Sequence, residues 1–466
     1  MADILERADY ALSRIRQDFS ERLEVIDRYY RGKHAGPYMP RSANDEYKLL
    51  AERCVHNWLP WVVAAPLQNL QVDGWRPASG DGSAVWDVWQ ANRMDARQGS
   101  VHEGALVYGH AYVAVLPDPA GPRIRPLSAL RMWAAYADPV SDEFPLYALE
   151  IMQSPDDGEL TGARFYDAEA ITDIRYEMKK TADGGESLTA VVAGRTPHIF
   201  GVTPVVRFAA SLDLLGRSVG LVEPLIPISD RINQTWFDLL VTQTYGSFKV
   251  RYATGMAPPL DIDPATGMPR TDPVTGEPLY RAVGFDPTRF LMAEDPDTKF
   301  GELSESPLNG YLAALELNTQ HLAATSQTPP HYLLGSMANL SADAFAAAEA
   351  AMTRKVDALK QALGEAWESV LWLCATAIGA DADRSAQVVW RDTGSRSLAQ
   401  TADAFGKLVQ MVDVPPQALW DKLPGFSQTD IDRFRELAEE TDPAAKMANA
   451  LAKAATPPGV PAVASE

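Results

Sequence analysis

From Ser341 to Gly379 the chain runs without a single proline. Phe345, Met352, Leu359, Ala366 and Leu373 recur every seven residues, and Val356, Leu363, Val370 and Ala377 form a second row beside them. That spacing predicts one continuous helix. Ser341 can cap its start, and Asp343 suits the first turn. If Gly364 does not bend it, the rod would be roughly 55–60 Å long at 1.5 Å per residue. A compact hundred-residue domain does not hold a rod of that length, so the helix must span several layers. The seven-residue repeat alone would suit a coiled coil. The run Phe345–Ala351 is alanine-rich, however, and only one face is bulky. Packing against neighbouring helices or subunits fits as well.

A second constraint lies upstream. Residues 256–308 hold nine prolines, four glycines, ten acidic residues and four basic ones. Within them Asp263-Pro-Ala-Thr-Gly-Met-Pro269 recurs nine residues later as Asp272-Pro-Val-Thr-Gly-Glu-Pro278. Each D-P-x-T-G copy reads as a turn, with proline fixing φ and glycine free to take φ > 0. The segment reads either as a decorated surface loop or as a compact excursion in which short strands at Phe248–Tyr252 and Leu279–Val283 pair across the two turns. Helical patterns flank this excursion. Leu221, Leu225, Ile228, Ile232, Trp236 and Leu239 share a narrow stripe on one side, with the clean helix starting near Ile228 because Pro224 and Pro227 precede it. Leu308, Leu312, Leu315, Leu317 and Leu322 follow on the other. The pattern predicts two stalk-like helices with a small subdomain at their tip. Pro329-Pro330 and Gly335 then break regular helix between two helical runs, and a loop so placed is a functional suspect.

The remainder reads as follows. Residues 3–31 are an amphipathic helix through Ile4, Ala8, Leu12, Ile15, Phe19, Leu23, Ile26 and Tyr30, ended by Gly32. Residues 44–70 are helical with a break at Pro60, and Asp73-Gly74 reads as a turn. A helix at 84–110 leads into an antiparallel β-rich region over 111–210, punctuated by Asp156-Asp157-Gly158 and Asp183-Gly184-Gly185. Gln387–Arg391 is a lone strand, expected to join that sheet or another chain's. Helices at 397–412, 417–423 and 429–440 close the fold, and 441–466 reads as a mobile Ala/Pro-rich tail.

The 466 residues carry 42 Lys+Arg against 62 Asp+Glu, a net charge of −20. Such a chain repels a polyanion on average, so tight general nucleic-acid binding is disfavoured. No run is apolar enough to span a membrane and no apolar leader opens the chain, so neither a span nor a secretory signal is expected. Cys54 and Cys374 read as buried free thiols, in keeping with a reducing compartment. The nucleotide-loop, zinc-helix, nucleophile-elbow and C-x-x-C motifs are missing. The seven histidines are scattered, and His102 and His110 read as ordinary surface or core histidines rather than metal ligands. Asp261, Asp263 and Asp272 lack the calcium-loop pattern, because Ala265 and Thr266 stand where a ligand and a glycine are required. No cofactor, metal or catalytic residue is expected.

The order of elements resembles the portal proteins of tailed bacteriophages, closest to the SPP1-type group of actinobacterial phages. The residues that carry the likeness are Leu23–Arg31 (L-E-V-I-D-R-Y-Y-R) with Gly32-Lys33, Asn69–Trp75 (N-L-Q-V-D-G-W), Gly216–Asn233 (G-R-S-V-G-L-V-E-P-L-I-P-I-S-D-R-I-N), and Pro329–Glu349 running into the long helix.

The resemblance implies an α+β, mainly α, portal fold. Residues 1–220 would be the wing, with the β-rich insert at 111–210. Residues 221–247 and 308–324 would be the paired stem helices, packing through Leu225, Ile228, Ile232, Trp236, Leu239, Leu312 and Leu315. Residues 248–307 would be the clip, with Arg251, Tyr252, Asp263, Arg270, Asp272, Tyr280 and Arg281 at the motor and adaptor docking surface. Residues 325–341 would be the tunnel loop, bringing Gln327, Pro329, Pro330, His331, Tyr332, Ser336, Met337 and Asn339 near DNA. The long helix and returning wing strand would occupy 342–396, and the crown 397–440.

The implied function is a ring-shaped channel, usually of twelve subunits, at the portal vertex of the virion capsid, assembled in the host cytoplasm. It would serve genome packaging and ejection. Its implied partners are further copies of itself, the large terminase subunit, a head–tail adaptor or connector, major capsid protein and scaffold, and double-stranded DNA contacted without sequence specificity. No membrane is involved. Two other readings stay open: another virion structural protein, such as a head–tail adaptor or minor capsid protein, and an acidic cytoplasmic enzyme using Asp142-Glu143 or Glu294-Asp295.

Overall fold

The computed structural model describes residues 2–39, 45–78, 82–153, 160–180, 186–246, 251–254, 260–273, 275–280, 297, 299–302, 307–335, 342–391, 398–416, 419–420 and 428–441. The protein is helix-rich α+β. It divides into two compact units, one of Met1–Ala35, His56–Ile232 and Leu317–Glu466, the other of Gly36–Val55 and Asn233–Glu316.

In the first unit, α1 (Ala2–Asp18) passes through a π-helical turn at Phe19–Leu23 into α2 (Glu24–Tyr30). Ile4, Ala8, Leu12 and Ile15 are buried as their spacing requires, but Phe19 is exposed. The extra residue of the π turn rotates the stripe, so Phe19 leaves it while Leu23 and Ile26 stay inside. Gly32, at φ +78, ends the helix. The Lys33 N–H donates to the Arg28 carbonyl and the Gly32 N–H to that of Tyr29, the paired bonds of a left-handed helix end.

α3 (Asp45–Arg53) and α4 (Leu59–Leu67) make up the helical stretch expected over 44–70, but the break expected at Pro60 falls earlier. Their gap lies before Trp58, and Pro60 sits in the first turn of α4, where its missing N–H costs nothing. Val72–Arg76 forms strand β1, so the Asp73-Gly74 turn does not occur. The helix expected at 84–110 is two, α5 (Ser83–Ala91) and α6 (Met94–Tyr108), parted at Arg93 with φ +54.

Eight strands follow: β2 (His110–Leu116), β3 (Arg123–Ser128), β4 (Met132–Ala135), β5 (Tyr147–Gln153), β6 (Leu160–Tyr166), β7 (Ala170–Lys180), β8 (Glu186–Pro197) and β9 (Val205–Ala209). They form two antiparallel sheets, ordered β3-β2-β9 and β4-β5-β6-β7-β8. α1 covers the larger sheet through Leu149, Ala163, Phe165 and Ile174. Tyr112, Ala114, Met132, Tyr166 and Val205 pack the two sheets together. Glu150 is buried there, and it accepts from Arg125 Nη2 at 2.5 Å and from Tyr166 Oη at 2.8 Å. One carboxylate thus ties both sheets, since a buried charge persists only when paired.

α7 (Ile226–Gly246) is preceded by a single 3-10 turn at Glu223–Leu225. α8 (Asn309–Ser326), the short α9 (Pro330–Leu334) and α10 (Ala342–Ile378, 37 residues) come later. The uninterrupted α10 matches the helix read from the seven-residue spacing. Trp367, two thirds of the way along it, is fully buried, edge-on to Trp89 at 4.9 Å and to Phe208 at 4.6 Å. Its indole N–H donates to His102 Nε2 at 2.8 Å, while His102 Nδ1 lies 3.1 Å from the Leu70 carbonyl. The imidazole is therefore neutral with its proton on Nδ1, and burial pulls its pKa down to about 4.

β12 (Gln387–Trp390) pairs antiparallel with β1, Val72 facing Trp390. The expectation that this strand would join the earlier sheet or another chain is corrected: its partner is the segment misread as a turn. α11 (Leu398–Val412) and α12 (Gln428–Thr441) follow. Most of the helix expected at 417–423 and the tail from 442 lie outside the described residues, as do Glu294 and Asp295.

In the second unit Phe237 of α7 packs on Ala51 and Cys54, with Tyr47, Leu50, Trp236 and Leu240 around them. Residues 36–55, read from sequence with the N-terminal region, thus belong to the unit that holds the excursion. Both cysteines are free and buried.

Candidate functional site

Three groups of residues singled out in the sequence can be built from the backbone upward. The first is the break after α8. Gln327 takes φ +54, which turns the chain off the helix axis. The Thr328 N–H returns to the Ala323 carbonyl at 2.9 Å. Pro329 is extended and buried, and Pro330 opens α9, where a fixed φ is already helical. Gly335, at φ +64, closes α9 with its N–H on the His331 carbonyl. The expectation that Pro329-Pro330 excludes helix is therefore corrected, because proline at the first helical position forfeits no hydrogen bond.

This segment is fastened to α10 at two points. Lys355 Nζ donates to the Ser326 carbonyl at 2.7 Å, capping the end of α8, and burial pulls the ammonium pKa down to about 8. Glu349 receives Tyr332 Oη at 3.2 Å and has His331 Nε2 at 3.1 Å. Burial first, then the Glu349 charge, raise the Tyr332 pKa. Gln327, Pro330 and Tyr332 face solvent, whereas the His331 side chain is 9% exposed and turned toward Glu349. Ser336, Met337 and Asn339 lie outside the described residues. Glu349 and Lys355 were not among the expected site residues. They flank the apolar rows of a long helix, where a charged residue reads as solvated.

The second group is the excursion. β10 (Arg251–Thr254) pairs with β11 (Lys299–Glu302), which places Arg251 opposite Glu302 and Tyr252 opposite Gly301. The pairing expected between 248–252 and 279–283 is corrected. Instead 260–262, 269–271 and 278–280 meet one another. The Asp261 N–H donates to the Leu279 carbonyl, the Leu279 N–H to that of Arg270, and the Arg270 N–H to that of Asp261, at 2.7 to 2.8 Å. Three segments nine residues apart thus close a cycle. The D-P-x-T-G copies are its corners. The Gly267 and Gly276 N–H groups return to the Asp263 and Asp272 carbonyls at 2.8 Å, and both glycines have positive φ. Asp263 Oδ1 accepts the Ala265 N–H and Asp272 Oδ1 the Thr275 N–H, so these carboxylates serve as turn caps. Arg270 Nη1 lies 3.8 Å from Asp261 Oδ2. Leu260, Ile262, Met268, Leu279 and Tyr280 are all exposed. Arg281 lies outside the described residues.

The third group is the helical stripe. Leu225, Ile232, Leu239 and Leu315 are buried, Ile228 and Trp236 half-buried, and Leu312 is 51% exposed. Thr242 Oγ1 is 3.4 Å from Tyr311 Oη in the second unit.

The motif Gly216-Arg-Ser-Val-Gly220 has a steric meaning. A Cβ on Gly220 would stand 2.3 Å from the Val107 carbonyl oxygen, and one on Gly109 2.8 Å from that of Ser218. Two backbones cross here too closely for any side chain. Of the carboxylates weighed as catalytic, Asp142 caps the Asp138 N–H and Glu143 pairs with Arg384. Arg384 Cζ stands 3.7 Å from the centre of the Trp372 ring, a cation–π contact. Among the described residues no cluster of three or more His, Cys, Asp or Glu is arranged to hold a metal. No described helix is long and apolar enough to cross a membrane.

Comparison with known proteins matches residues 11–445 to the family described as phage portal protein, SPP1 Gp6-like. The portal protein of Mycobacterium phage D29 is 27% identical over 391 residues, 79% of this chain and 76% of that protein. The portal protein of Mycobacterium phage L5 is 27% identical over 357 residues, 72% and 68% of the two chains. Among solved structures, a chain from the virion of a native gene transfer agent particle covers 86% of this chain and 99% of its own at 12% identity, with a TM-score of 0.41.

Proposed function

Because the chain belongs to the SPP1 Gp6-like family of phage portal proteins, we propose that it builds the ring-shaped conduit at one capsid vertex through which the genome is packaged and ejected. The observation that carries this reading is the family match across residues 11–445, which takes in both flanking helices, the excursion, the fastened segment and α10 together. The portal role is structural, and no catalytic step is proposed.

Within that role we assign 1–220 to the wing, 221–247 and 308–324 to the stem, 248–307 to the clip and 325–341 to the tunnel loop. Residues 342–396 are the long helix and returning strand, and 397–440 the crown. The ring is taken to be a dodecamer. The clip is where a large terminase subunit and later a head–tail adaptor dock, and its exposed Leu260, Ile262, Met268, Leu279 and Tyr280 suit such a surface. Capsid protein and scaffold surround the wing. Double-stranded DNA passes the exposed Gln327, Pro330 and Tyr332. A net charge of −20 keeps phosphate adhesion weak, as a conduit for a sliding polyanion requires.

The test is direct imaging. Negative-stain averages of the purified full chain, with capsid protein and scaffold supplied, are expected to show rings with a central channel. Only monomers, or closed globular oligomers without a channel, would overturn the reading.

A further inference from the structure

Four arginines line one cavity of about 540 Å³ in the first unit: Arg14 of α1, Arg22 of the π turn, Arg207 of β9 and Arg217 of the loop that follows β9. Three carboxylates, Asp18, Asp213 and Glu223, stand among them. In a chain of net charge −20 this is a local reversal of sign. The pairing inside the cavity is uneven. Arg22 meets Asp18 at 3.3 Å and Glu223 at 3.1 Å, and Arg217 meets Asp213 at 2.8 Å. All three carboxylates are thereby taken. Arg14 donates to the Gln17 side chain. Arg207 donates to the Pro139 carbonyl, and its Cζ stands 4.4 Å from the centre of the Tyr136 ring. Among the described residues neither Arg14 nor Arg207 has a carboxylate within 4 Å. Both are half-buried.

The walls are set without a ligand. The register of β2 and β9 places Arg207 opposite Tyr112. Asp213 Oδ1 accepts the N–H groups of Leu215 and Arg217 at 2.9 and 2.8 Å, which fixes the loop. Gly216, at φ +74, lies so close to Pro139 that a Cβ there would fall 2.2 Å from the proline Cβ. His110 Nδ1 is 3.0 Å from Ser218 Oγ, and burial pulls the imidazole pKa down to about 4. The ring is neutral at pH 7, so it adds hydrogen-bonding capacity and no charge. Donors held in place in this way lose little freedom when a ligand arrives.

A half-buried guanidinium has given up part of its hydration, and its planar fork of donors recovers most from an oxyanion. One carboxylate matches one fork. Here two unpaired forks enter from different elements, a helix and a strand, and together they supply two positive charges. A tetrahedral phosphate offers acceptor oxygens in several directions and a charge of about −1.5 to −2 at pH 7. The cavity falls within the roughly 300–1,000 Å³ of small-ligand pockets and leaves room for an organic remainder. A DNA duplex spreads its charge along a line and would have to run past the three carboxylates, which repel it. A compact anion needs only the two free forks.

We propose that this cavity binds a small phosphate-bearing anion through Arg14 and Arg207, and that the bound anion clamps α1 to β9. The inference goes beyond the portal reading and does not depend on it.

The experiment is calorimetric titration of the full-length chain with inorganic phosphate at fixed ionic strength, with chloride making up the balance. One saturable site is expected. Arg207→Gln and Arg14→Gln are each expected to weaken it roughly tenfold or more, the loss of one charge-assisted contact. Arg123→Gln, outside the cavity, is expected to leave it unchanged. Arg14→Gln removes a side chain bonded to Gln17 alone, so it reports on the site even if Arg207→Gln fails to fold. No saturable response beyond that of chloride would overturn the proposal, and so would an unchanged affinity in either folded variant. Acetate binding as tightly as phosphate would overturn the choice of phosphate. A short DNA duplex that displaces the ion at equal phosphate concentration would overturn the assignment to a small anion. A chain that binds phosphate as described and never forms rings would leave this inference standing and overturn the portal reading.

Discussion

His102 has no room for a second proton. Its Nε2 accepts from Trp367 and its Nδ1–H faces the Leu70 carbonyl, so protonation would set N–H against N–H inside the core of the first unit. Burial lowers its pKa from 6.5 to about 4. The unfolded chain takes the proton near 6.5 and the folded chain resists until about 4. The stability contribution is therefore whole above pH 6.5 and is lost as pH falls toward 4. A gap of that width is on the order of 3 kcal/mol. His110 is buried and also lowered to about 4, with Asp18, Arg22 and Arg207 facing it, and it steepens the same window. Urea midpoints measured from pH 7 to pH 4 are expected to fall, and His102→Gln is expected to flatten about half of that slope. A wild-type midpoint independent of pH in this range would refute the bonding scheme. Residues of this kind were only half legible in sequence. The sequence left His102 open as a surface or a core histidine, and the indole donor that fixes it in the core stands 265 positions away.

At the scale of elements, legibility followed the range over which each element is determined. α10 was readable because its seven-residue rows are local. β1 was not, because Asp73-Gly74 favours a turn on its own and becomes strand only when β12 arrives to pair with it. α9 was missed because a proline pair reads as a breaker unless one knows which residue starts the helix. The fastening of 327–335 was invisible for a different reason: Glu349 and Lys355 resemble any charges on a helix until their partners are placed. Their role has a measurable consequence. Lys355→Met removes the bond to the Ser326 carbonyl, a loss of about 1–3 kcal/mol where the acceptor stays buried. Amide exchange across 327–335 is expected to rise roughly five- to 150-fold, while α10 from 359 to 375 keeps its protection. Unchanged exchange in 327–335 would show that the lysine does not hold the segment.

For the molecule as a whole, the pairing of β1 with β12 sets a schedule. Asp73 and Arg391, which tie the two strands by an ion pair at 2.8 Å, are 318 residues apart. At ~5–20 residues per second, a ribosome needs roughly 15–60 seconds to make the second strand after the first. Throughout that interval β1 is an unpaired edge and Trp367, Trp89 and Phe208 have not met. The first unit can therefore complete its core only when synthesis is nearly over. Chains truncated before Gln387 are expected to be recovered as insoluble or protease-sensitive material, whereas chains ending after Thr441 are expected to be soluble. Nascent copies thus stay unable to associate until translation has almost ended, and a message cut short yields debris in place of a defective subunit that would poison an assembling particle.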